Sequence, residues 1–222
     1  MGRRSIWTAG SKAMGMVLVL ALASGACSGS GDKDVLTYKD PDRYSLFKIP
    51  TDWNLYDKDD LSGLAGLPFV VRASNFPLPV ISQVAFEGSP TRDPANLVQP
   101  LSTADFPIGA AVVRTIGSEQ RDYISRYHLA ELVVPYHSQL EAGEAGELLK
   151  EDFAFDDFAG VRLVLWYTDA QTEETAGVYL ISVTDPEVTR MYSIAVGCSE
   201  RCWELYRDDI ASVVDSWLVN TR

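Results

Sequence analysis

Three short apolar runs form the clearest pattern in the chain, at residues 161–168, 178–184 and 190–196. They are rich in β-branched and aromatic residues, which favour strands. The connections between them, around residues 169–177 and 185–187, are short. Because short connections join antiparallel neighbours, the pattern predicts an antiparallel sheet at this end of the chain.

Apolar residues at helical spacing follow the last of these runs and predict a closing helix. Ser199 suits the N-cap position and Glu200 the first turn. The apolar positions that recur at three- and four-residue intervals are Trp203, Tyr206, Ile210, Val213, Val214 and Trp217. Such a face must cover another apolar surface, and the neighbouring sheet is the expected partner.

The preceding part of the domain predicts further strands and one helix. The strands are expected at residues 44–49, 53–56, 67–73, 80–87 and 110–116. Ile124, Tyr127 and Ala130 keep roughly helical spacing, which predicts a helix over residues 118–131. Four prolines within residues 88–109 predict that this segment is mainly loop. Regular structure is therefore expected at both ends of the domain, with an irregular segment in its middle.

The first 26 residues have the pattern of a secretion signal. Arg3, Arg4 and Lys12 precede an apolar run at residues 13–23, small residues follow at 24–26, and no residue in the segment is acidic. The uncharged stretch approaches the length of a membrane-spanning helix, about 20 residues, only when its glycine and serine tail is counted. A cleaved signal is therefore expected, by either the general secretory or the twin-arginine route.

Cys27 is expected to carry a lipid anchor. Residues 24–26 and Cys27 resemble a bacterial lipobox, in which the cysteine is acylated and becomes the mature N-terminus, although Ser24 stands where leucine is usual. The same small residues also suit ordinary signal-peptidase cleavage just before the cysteine. The chain has three cysteines, and pairing of Cys198 with Cys202 leaves Cys27 for acylation.

The mature protein is expected on the extracytoplasmic face of the cell membrane, with residues 27–35 as a flexible tether. Removal of the signal leaves 16 basic and 31 acidic residues, a formal charge of −15. Nucleic-acid phosphates and anionic lipid headgroups both repel such a surface. No nucleic-acid partner is therefore expected, and membrane residence must come from acyl chains such as palmitate.

Both ends of residues 36–222 resemble PsbP-like domains. The residues that carry the resemblance, besides the final strands and helix, are Tyr38, Asp40, Tyr44, Phe47, Ile49, Pro50, Trp53, Asp215, Ser216 and Trp217. The superfamily includes the extrinsic PsbP protein of photosystem II, the Ran-binding Mog proteins and envelope lipoproteins of the LpqN type. The resemblance implies an α+β fold, an antiparallel sheet flanked by helices, and a function in binding proteins or assisting assembly. It brings no catalytic motif, and the proline-rich middle is longer than the family pattern.

No catalytic constellation is recognisable in the sequence. Nucleophile elbows, dinucleotide- and phosphate-binding loops, zinc-protease motifs and EF-hand loops are absent. His128 and His137 are the only histidines. Either suits a Ser-His-Asp enzyme, but a two-histidine metal site needs both and a third ligand, and their spacing across Pro135 matches no known ligand pattern. Both are interpreted as ordinary polar or partly buried residues, and no enzyme activity, cofactor or metal is predicted.

Three further groups have both a functional and a structural interpretation. Cys198 and Cys202 lack the spacing of a redox motif and the further ligands of a zinc site, which favours a structural disulfide with Cys198 outside the helix. The acids at residues 57–60 and 156–157 suit calcium binding or acid–base chemistry, but acids beside turns are usually solvated. Three tryptophans suit a ligand pocket, although their spacing favours the core. They are Trp53, Trp166 and Trp217.

Three classes of function follow from these features. The leading one is a non-catalytic module that binds another envelope protein or assists assembly; the alternative is a carrier of a lipid or other apolar ligand, and an enzyme comes third. An apolar cavity of several hundred Å³ between sheet and helix would favour the carrier, whereas a filled core with an exposed apolar patch would favour the binding module. Residues 88–109 are either a docking loop or a lid on the domain's own core.

Overall fold

Long strands account for most of the regular structure, as the apolar runs predict. The computed structural model describes residues 34–42, 44–67, 69, 78–169 and 172–220. The expected signal, Cys27 and nearly all of the tether therefore lie outside the described residues, as does most of the strand expected at 67–73. Among the helices described, none is long and apolar enough to cross a membrane.

The strands, in chain order, are β1 (Val35–Lys39), β2 (Ser45–Pro50), β3 (Asn54–Tyr56), β4 (Val80–Glu87), β5 (Ile108–Thr115), β6 (Ala145–Phe155), β7 (Phe158–Thr168), β8 (Thr175–Thr184), β9 (Arg190–Ser199) and β10 (Leu218–Val219). Seven of them form the main sheet, in the order β3-β4-β5-β9-β8-β7-β6. β1, β2 and β10 form a small second sheet. All neighbouring pairs among the strands described are antiparallel. For β7–β8 and β8–β9 the short connections predict this arrangement.

The helices in the described part of the chain are α1 (Ser118–Arg121), α2 (Arg126–Glu131), α3 (His137–Ala142) and α4 (Glu200–Asp215). α4 is the predicted closing helix, and the Ser199 side chain caps it by accepting a hydrogen bond from Cys202 N at 3.3 Å. The proline-rich middle contains only two 3-10 turns, Pro94–Val98 and Leu101–Thr103. The α+β class, with an antiparallel sheet and flanking helices, is confirmed.

The two faces of the main sheet have different covers. α4 packs over β8 and β9 on one face, where Tyr179 Oη donates a hydrogen bond to Asp215 Oδ1. Side chains alternate along a strand, so the neighbours of Tyr179 in the strand point to the opposite face. α2 and the 3-10 turns of the proline-rich segment cover that opposite face. Ile194, Leu180 and Val214 are fully buried between these layers.

The prediction of one continuous helix over residues 118–131 is wrong. α1 ends at Arg121, and Ser125 takes extended backbone angles (φ −105°, ψ 160°) as the N-cap of α2. Tyr123, between the two helices, is 72% exposed. Serine favours helix caps over helix interiors because its side chain competes for backbone hydrogen bonds. Apolar spacing alone does not reveal such a break.

β6 and α3 are not predicted by the sequence pattern. β6 is the outermost strand of the main sheet and pairs only with β7. It carries Glu147, Lys150, Glu151 and Asp152, and its register shifts at a bulge between Glu147 and Leu149. Charges and bulges protect edge strands from unwanted pairing. They also remove the alternation of apolar and polar residues by which a strand is recognised.

Candidate functional site

A disulfide joins the main sheet to the start of α4. Cys198 and Cys202 are bonded in the structure, with their Cα atoms 5.8 Å apart. Cys198 lies in β9 and Cys202 in the first turn of α4, so the pair is not held at the Cβ separation of two helical residues. Both residues are buried, which fits a structural bond rather than thiol exchange.

The proline-rich segment packs on the domain's own core. Leu97 and Ala104 are fully buried, and Leu101 is 6% exposed. Leu101 lies so close to the sheet that a Cβ at Gly197 would be 3.2 Å from its Cδ1. The backbone N–H and the hydroxyl of Ser199 both donate to Ala104 O. In the structure, residues 88–107 therefore form a lid on the domain's own core.

A fully buried carboxylate fastens the start of this segment to the sheet. Glu87 Oε1 accepts hydrogen bonds from Tyr56 Oη at 2.5 Å and from Asp93 N at 3.4 Å. Burial, followed by the bond to Glu87, raises the pKa of Tyr56, so the phenol stays protonated and donates. The Arg92 guanidinium lies 4.7 Å from the centroid of the Tyr56 ring and binds Asp60. Through Glu87 Oε1 and Arg92, this network ties the start of the segment to β3 and β4, while Glu87 Oε2 is buried without a hydrogen-bond partner among the described residues.

The histidines do not form a catalytic or metal-binding group. His128 Nδ1 is 3.1 Å from Ser125 Oγ and 3.2 Å from Tyr123 O. Because a carbonyl oxygen only accepts, the second contact favours a hydrogen on Nδ1, and that nitrogen then cannot take the serine proton. The exposed His137 side chain has its Nε2 atom 3.5 Å from Glu141 Oε1. The described residues contain no group of three potential metal ligands.

The acids at residues 57–60 and at residues 156–157 lie in turns. Asp57 Oδ1 accepts hydrogen bonds from Asp59 N at 2.8 Å and Asp60 N at 3.2 Å, which closes the turn after β3. Asp156 and Asp157 form the two-residue connection between β6 and β7, where Asp156 has a φ of 50°. Aspartate tolerates this left-handed conformation better than most residues. In the first turn, Asp57 thus binds backbone and Asp60 pairs with Arg92.

A half-exposed apolar strip runs along the outer part of the sheet, on the face that α4 covers elsewhere. We call it the edge strip; its members are Leu149 and Phe153 of β6, Val164 and Trp166 of β7, and Trp203 of α4. Leu149 is 39% exposed and the other members are half-buried. On the opposite face of β7, by contrast, Val161, Leu163 and Leu165 are buried. The edge strip is thus a part of the sheet surface that the domain's own layers leave incompletely covered.

Two tryptophans form the open end of the edge strip. The Trp166 and Trp203 rings meet edge to face, with centroids 5.4 Å apart. Both lie on Gly177, where a Cβ would be 2.7 Å from Trp203 and 3.0 Å from Trp166. On the other side of Trp166, its strand partner Gly146 has open space above it, because a Cβ there would meet no atom within 4 Å. Glycines on both neighbouring strands therefore leave the indole of Trp166 accessible from the sheet edge.

Arg162 lies within the edge strip, between Val164 and Phe153. Its guanidinium lies 4.8 Å from the centroid of the Phe153 ring, and it pairs with Glu151 at 3.1 Å and Asp215 at 3.5 Å. Asp215 also accepts the hydrogen bond from Tyr179, and burial followed by this bond raises the pKa of Tyr179. The end of α4 is in this way tied to β6, β7 and β8.

The sequence pattern identified only part of this surface. Trp53 and Trp217 are 7% and 5% exposed and belong to the core, as their spacing predicts. Trp166 lies in the edge strip, and Trp203 lies at the margin of the helix face that was expected to be covered. The strip depends on the register that places Gly146 and Gly177 beside Trp166, and register is not visible in the linear sequence.

Comparison with known proteins identifies the fold. No protein-family model matches the sequence, and no curated protein matches it either. Among solved structures, the solution structure of cyanobacterial PsbP (CyanoP) from Synechocystis sp. PCC 6803 is similar, with a TM-score of 0.50 and 16% identity, over 89% of this chain and 99% of that chain. The predicted resemblance to PsbP-like domains is therefore confirmed at the level of the fold.

Two further structures match less closely. LpqN, involved in cell envelope biogenesis of Mycobacterium tuberculosis, gives a TM-score of 0.48 at 11% identity, over 85% of this chain and 91% of LpqN. The Ran-binding protein Mog1p of Saccharomyces cerevisiae gives 0.46 at 9% identity, over 84% of this chain and 96% of Mog1p. At these identities the comparisons concern architecture only.

Proposed function

We propose that this protein is an exported, lipid-anchored module that binds another protein of the cell envelope without catalysing a reaction, and that it docks through the edge strip. Export and anchoring rest on the signal pattern of residues 1–26 and on Cys27. The paired cysteines of β9 and α4 suit an oxidising compartment. The absence of recognisable catalytic motifs from the sequence supports a binding role.

The edge strip is the observation that carries the docking proposal. It combines two tryptophans and aliphatic side chains at the open edge of a sheet, beside charged residues of β6. Protein interfaces have this composition, an apolar aromatic centre with a polar rim. A surface held in place by a disulfide beside Trp203 and by the Arg162 network within the strip is also pre-organised, which lowers the entropy lost on binding.

The layer between the main sheet and α4 favours the binding module over the carrier. Ile194 and Val196 of β9 and Ile210, Val213 and Val214 of α4 are at most 1% exposed. Side chains therefore fill the position in which an apolar ligand between sheet and helix would have to lie. A separate cleft on the opposite face has a volume of about 220 Å³, below the roughly 300 to 1,000 Å³ of sites for drug-sized ligands.

Photo-crosslinking in intact cells tests the docking surface. A benzoylphenylalanine in place of exposed Leu149 is expected to form a discrete adduct with one envelope protein, because it lies at the rim of the edge strip. The matched control replaces Ser62, which is also exposed but lies beyond β3, at the opposite edge of the main sheet. Equal adducts from both positions, or none from position 149, would count against docking at the edge strip.

Membrane attachment is tested at Cys27. The substitution Cys27→Ser is expected to move the protein from the membrane to the soluble fraction, because its acidic surface offers no electrostatic attraction to anionic lipid. Detergent phase partition of cell fractions measures this, and Ser28→Ala is the neighbouring control that leaves the cysteine in place. Unchanged membrane retention of the Cys27→Ser variant would contradict the lipid anchor.

A further inference from the structure

A cleft opens on the face of the main sheet opposite α4, between α2 and the tips of two hairpins. Its volume is about 220 Å³. Ala159 of β7 and Thr184 of β8 are paired neighbours at its base. Tyr179 bonds to α4, and Thr184 is an odd number of residues further along the same strand, so Thr184 points away from α4. The cleft and the edge strip are therefore separate surfaces on opposite faces.

The walls of the cleft are mostly apolar and come from four parts of the chain. They are lined by Ile124, Leu129, Ala159, Pro186 and Val188. Leu129 is 1% exposed, so its side chain forms a fixed wall on the α2 side. A guest in this cleft must therefore present an apolar stem to most of its surroundings.

The charged side chains among the described lining residues are both carboxylates. Asp157 is exposed in the β6–β7 turn, and Asp185 is 6% exposed at the start of the β8–β9 connection. The hydroxyls of Ser125 and Thr184 also line the cleft. The polar part of the lining thus offers hydrogen-bond acceptors and negative charge, which suits a cationic head group.

The β8–β9 connection holds its side of the cleft rigidly. Asp185 Oδ1 accepts hydrogen bonds from Thr189 N at 2.6 Å and Arg190 N at 3.0 Å. Val188, which lines the cleft, has a φ of 53°, a conformation that a β-branched residue adopts only when its surroundings enforce it. Asp185 Oδ2 accepts a further hydrogen bond from the Thr189 hydroxyl, so both oxygens are engaged and Asp185 contributes negative charge from a fixed position. The carboxylate of Asp157 is exposed and can turn toward a guest.

We propose that this cleft receives a lysine or arginine side chain of a protein that contacts this second face. Such a side chain has an apolar stem for the walls and a cationic head for Asp157 and Asp185. A cleft of this volume suits one side chain rather than a larger ligand. The overall excess of acidic residues would also attract a basic partner. This inference rests on the proposed function in taking the guest to be part of a protein.

Two small probes test the chemistry of the cleft directly. Nα-acetyl-lysine amide has the stem and ammonium group of a lysine side chain, whereas Nα-acetyl-norleucine amide has an alkyl stem without the charge. In NMR titrations of the isotope-labelled Cys27→Ser protein, the lysine probe is expected to shift backbone signals around the cleft with a millimolar midpoint. Asp157→Asn should weaken its binding about three- to fivefold, the effect of losing one partly exposed ion pair.

The neighbouring aspartate provides the matched control. Asp156→Asn removes the same charge from the same turn, but Asp156 does not line the cleft. The affinity of this variant for the lysine probe should therefore stay within about twofold of the wild type. Asp157→Asn should not change binding of the norleucine probe, because that probe has no charge to lose. Equal affinity for the two probes, an equal effect of the two substitutions, or no shift around the cleft would each overturn the inference.

The titration and the crosslinking separate the two proposals. A failed titration with a retained adduct at position 149 would overturn the side-chain cleft and leave the docking proposal standing. A successful titration without any adduct at position 149 would support the cleft and count against the edge strip. The two readouts are independent because the surfaces lie on opposite faces of the main sheet.

Discussion

Replacement of residues 90–107 by a short Gly-Ser linker is expected to abolish the cooperative unfolding transition. The deletion removes Leu97, Leu101 and Ala104, which are all at most 6% exposed and cover the sheet face opposite α4. Loss of one buried leucine side chain costs about 2 to 5 kcal/mol. Removal of both leucines therefore approaches the whole stability of a typical domain, about 5 to 15 kcal/mol.

Single substitutions locate this effect within the segment. Leu97→Ala should lower the free energy of unfolding by about 2 to 5 kcal/mol because its side chain is fully buried. Val98→Ala, at a position that is 38% exposed, should change it by less than about 1 kcal/mol. Urea titration followed by far-ultraviolet circular dichroism measures both. If the linker variant melted within a few degrees of the wild type, the segment would be a dispensable loop and not core.

Trp217→Ala is expected to be the most destabilising single substitution at the end of the chain. The indole is 5% exposed and lies between α4 and β10, which pairs with β2 of the small sheet. Truncation of a buried tryptophan leaves a large cavity and costs about 3 to 5 kcal/mol. The loss would loosen both α4 and the small sheet, because residue 217 connects them.

Trp217→Phe is the control for this substitution. The Trp217 Nε1 atom is buried and has no hydrogen-bond partner, so phenylalanine keeps an aromatic ring in the core and removes no hydrogen bond. We expect it to cost less than about 1.5 kcal/mol, as for other substitutions that keep most of the volume. A denaturant titration in which Trp217→Ala lost less than about 1 kcal/mol would mean that the side chain does not support the core.

The N-cap and the buried face of α4 are features that local sequence predicts correctly. Ser199 caps the helix, and Ile210, Val213 and Val214 are buried, as their spacing predicts. These features depend on residues within a few positions of one another, where helical periodicity and hydrogen-bond chemistry act directly. The same periodicity failed over residues 118–131, because the extended backbone at Ser125 interrupts the helix without changing the apolar spacing.

Local sequence patterns did not predict most of the edge strip or the cleft. β6 has the charged and bulged character of an edge strand, so its sequence does not alternate clearly between apolar and polar residues. Without β6 the edge strip has no outer boundary. The cleft likewise joins residues from four separate connections and strands, between Ile124 and Val188, that meet only through the pairing of β7 with β8.

The sequence by itself determined the antiparallel C-terminal strands and the closing helix, because each depends on composition or short-range periodicity. Export and anchoring at Cys27 stay predictions from the sequence. Only the tertiary structure decided that residues 88–107 form a lid, that Trp166 and Trp203 share a half-open strip, and that Asp157 and Asp185 line one cleft. The physical reason is that strand register and layer packing bring together residues far apart in the chain, and a shift of one residue would turn every side chain of a strand to the other face.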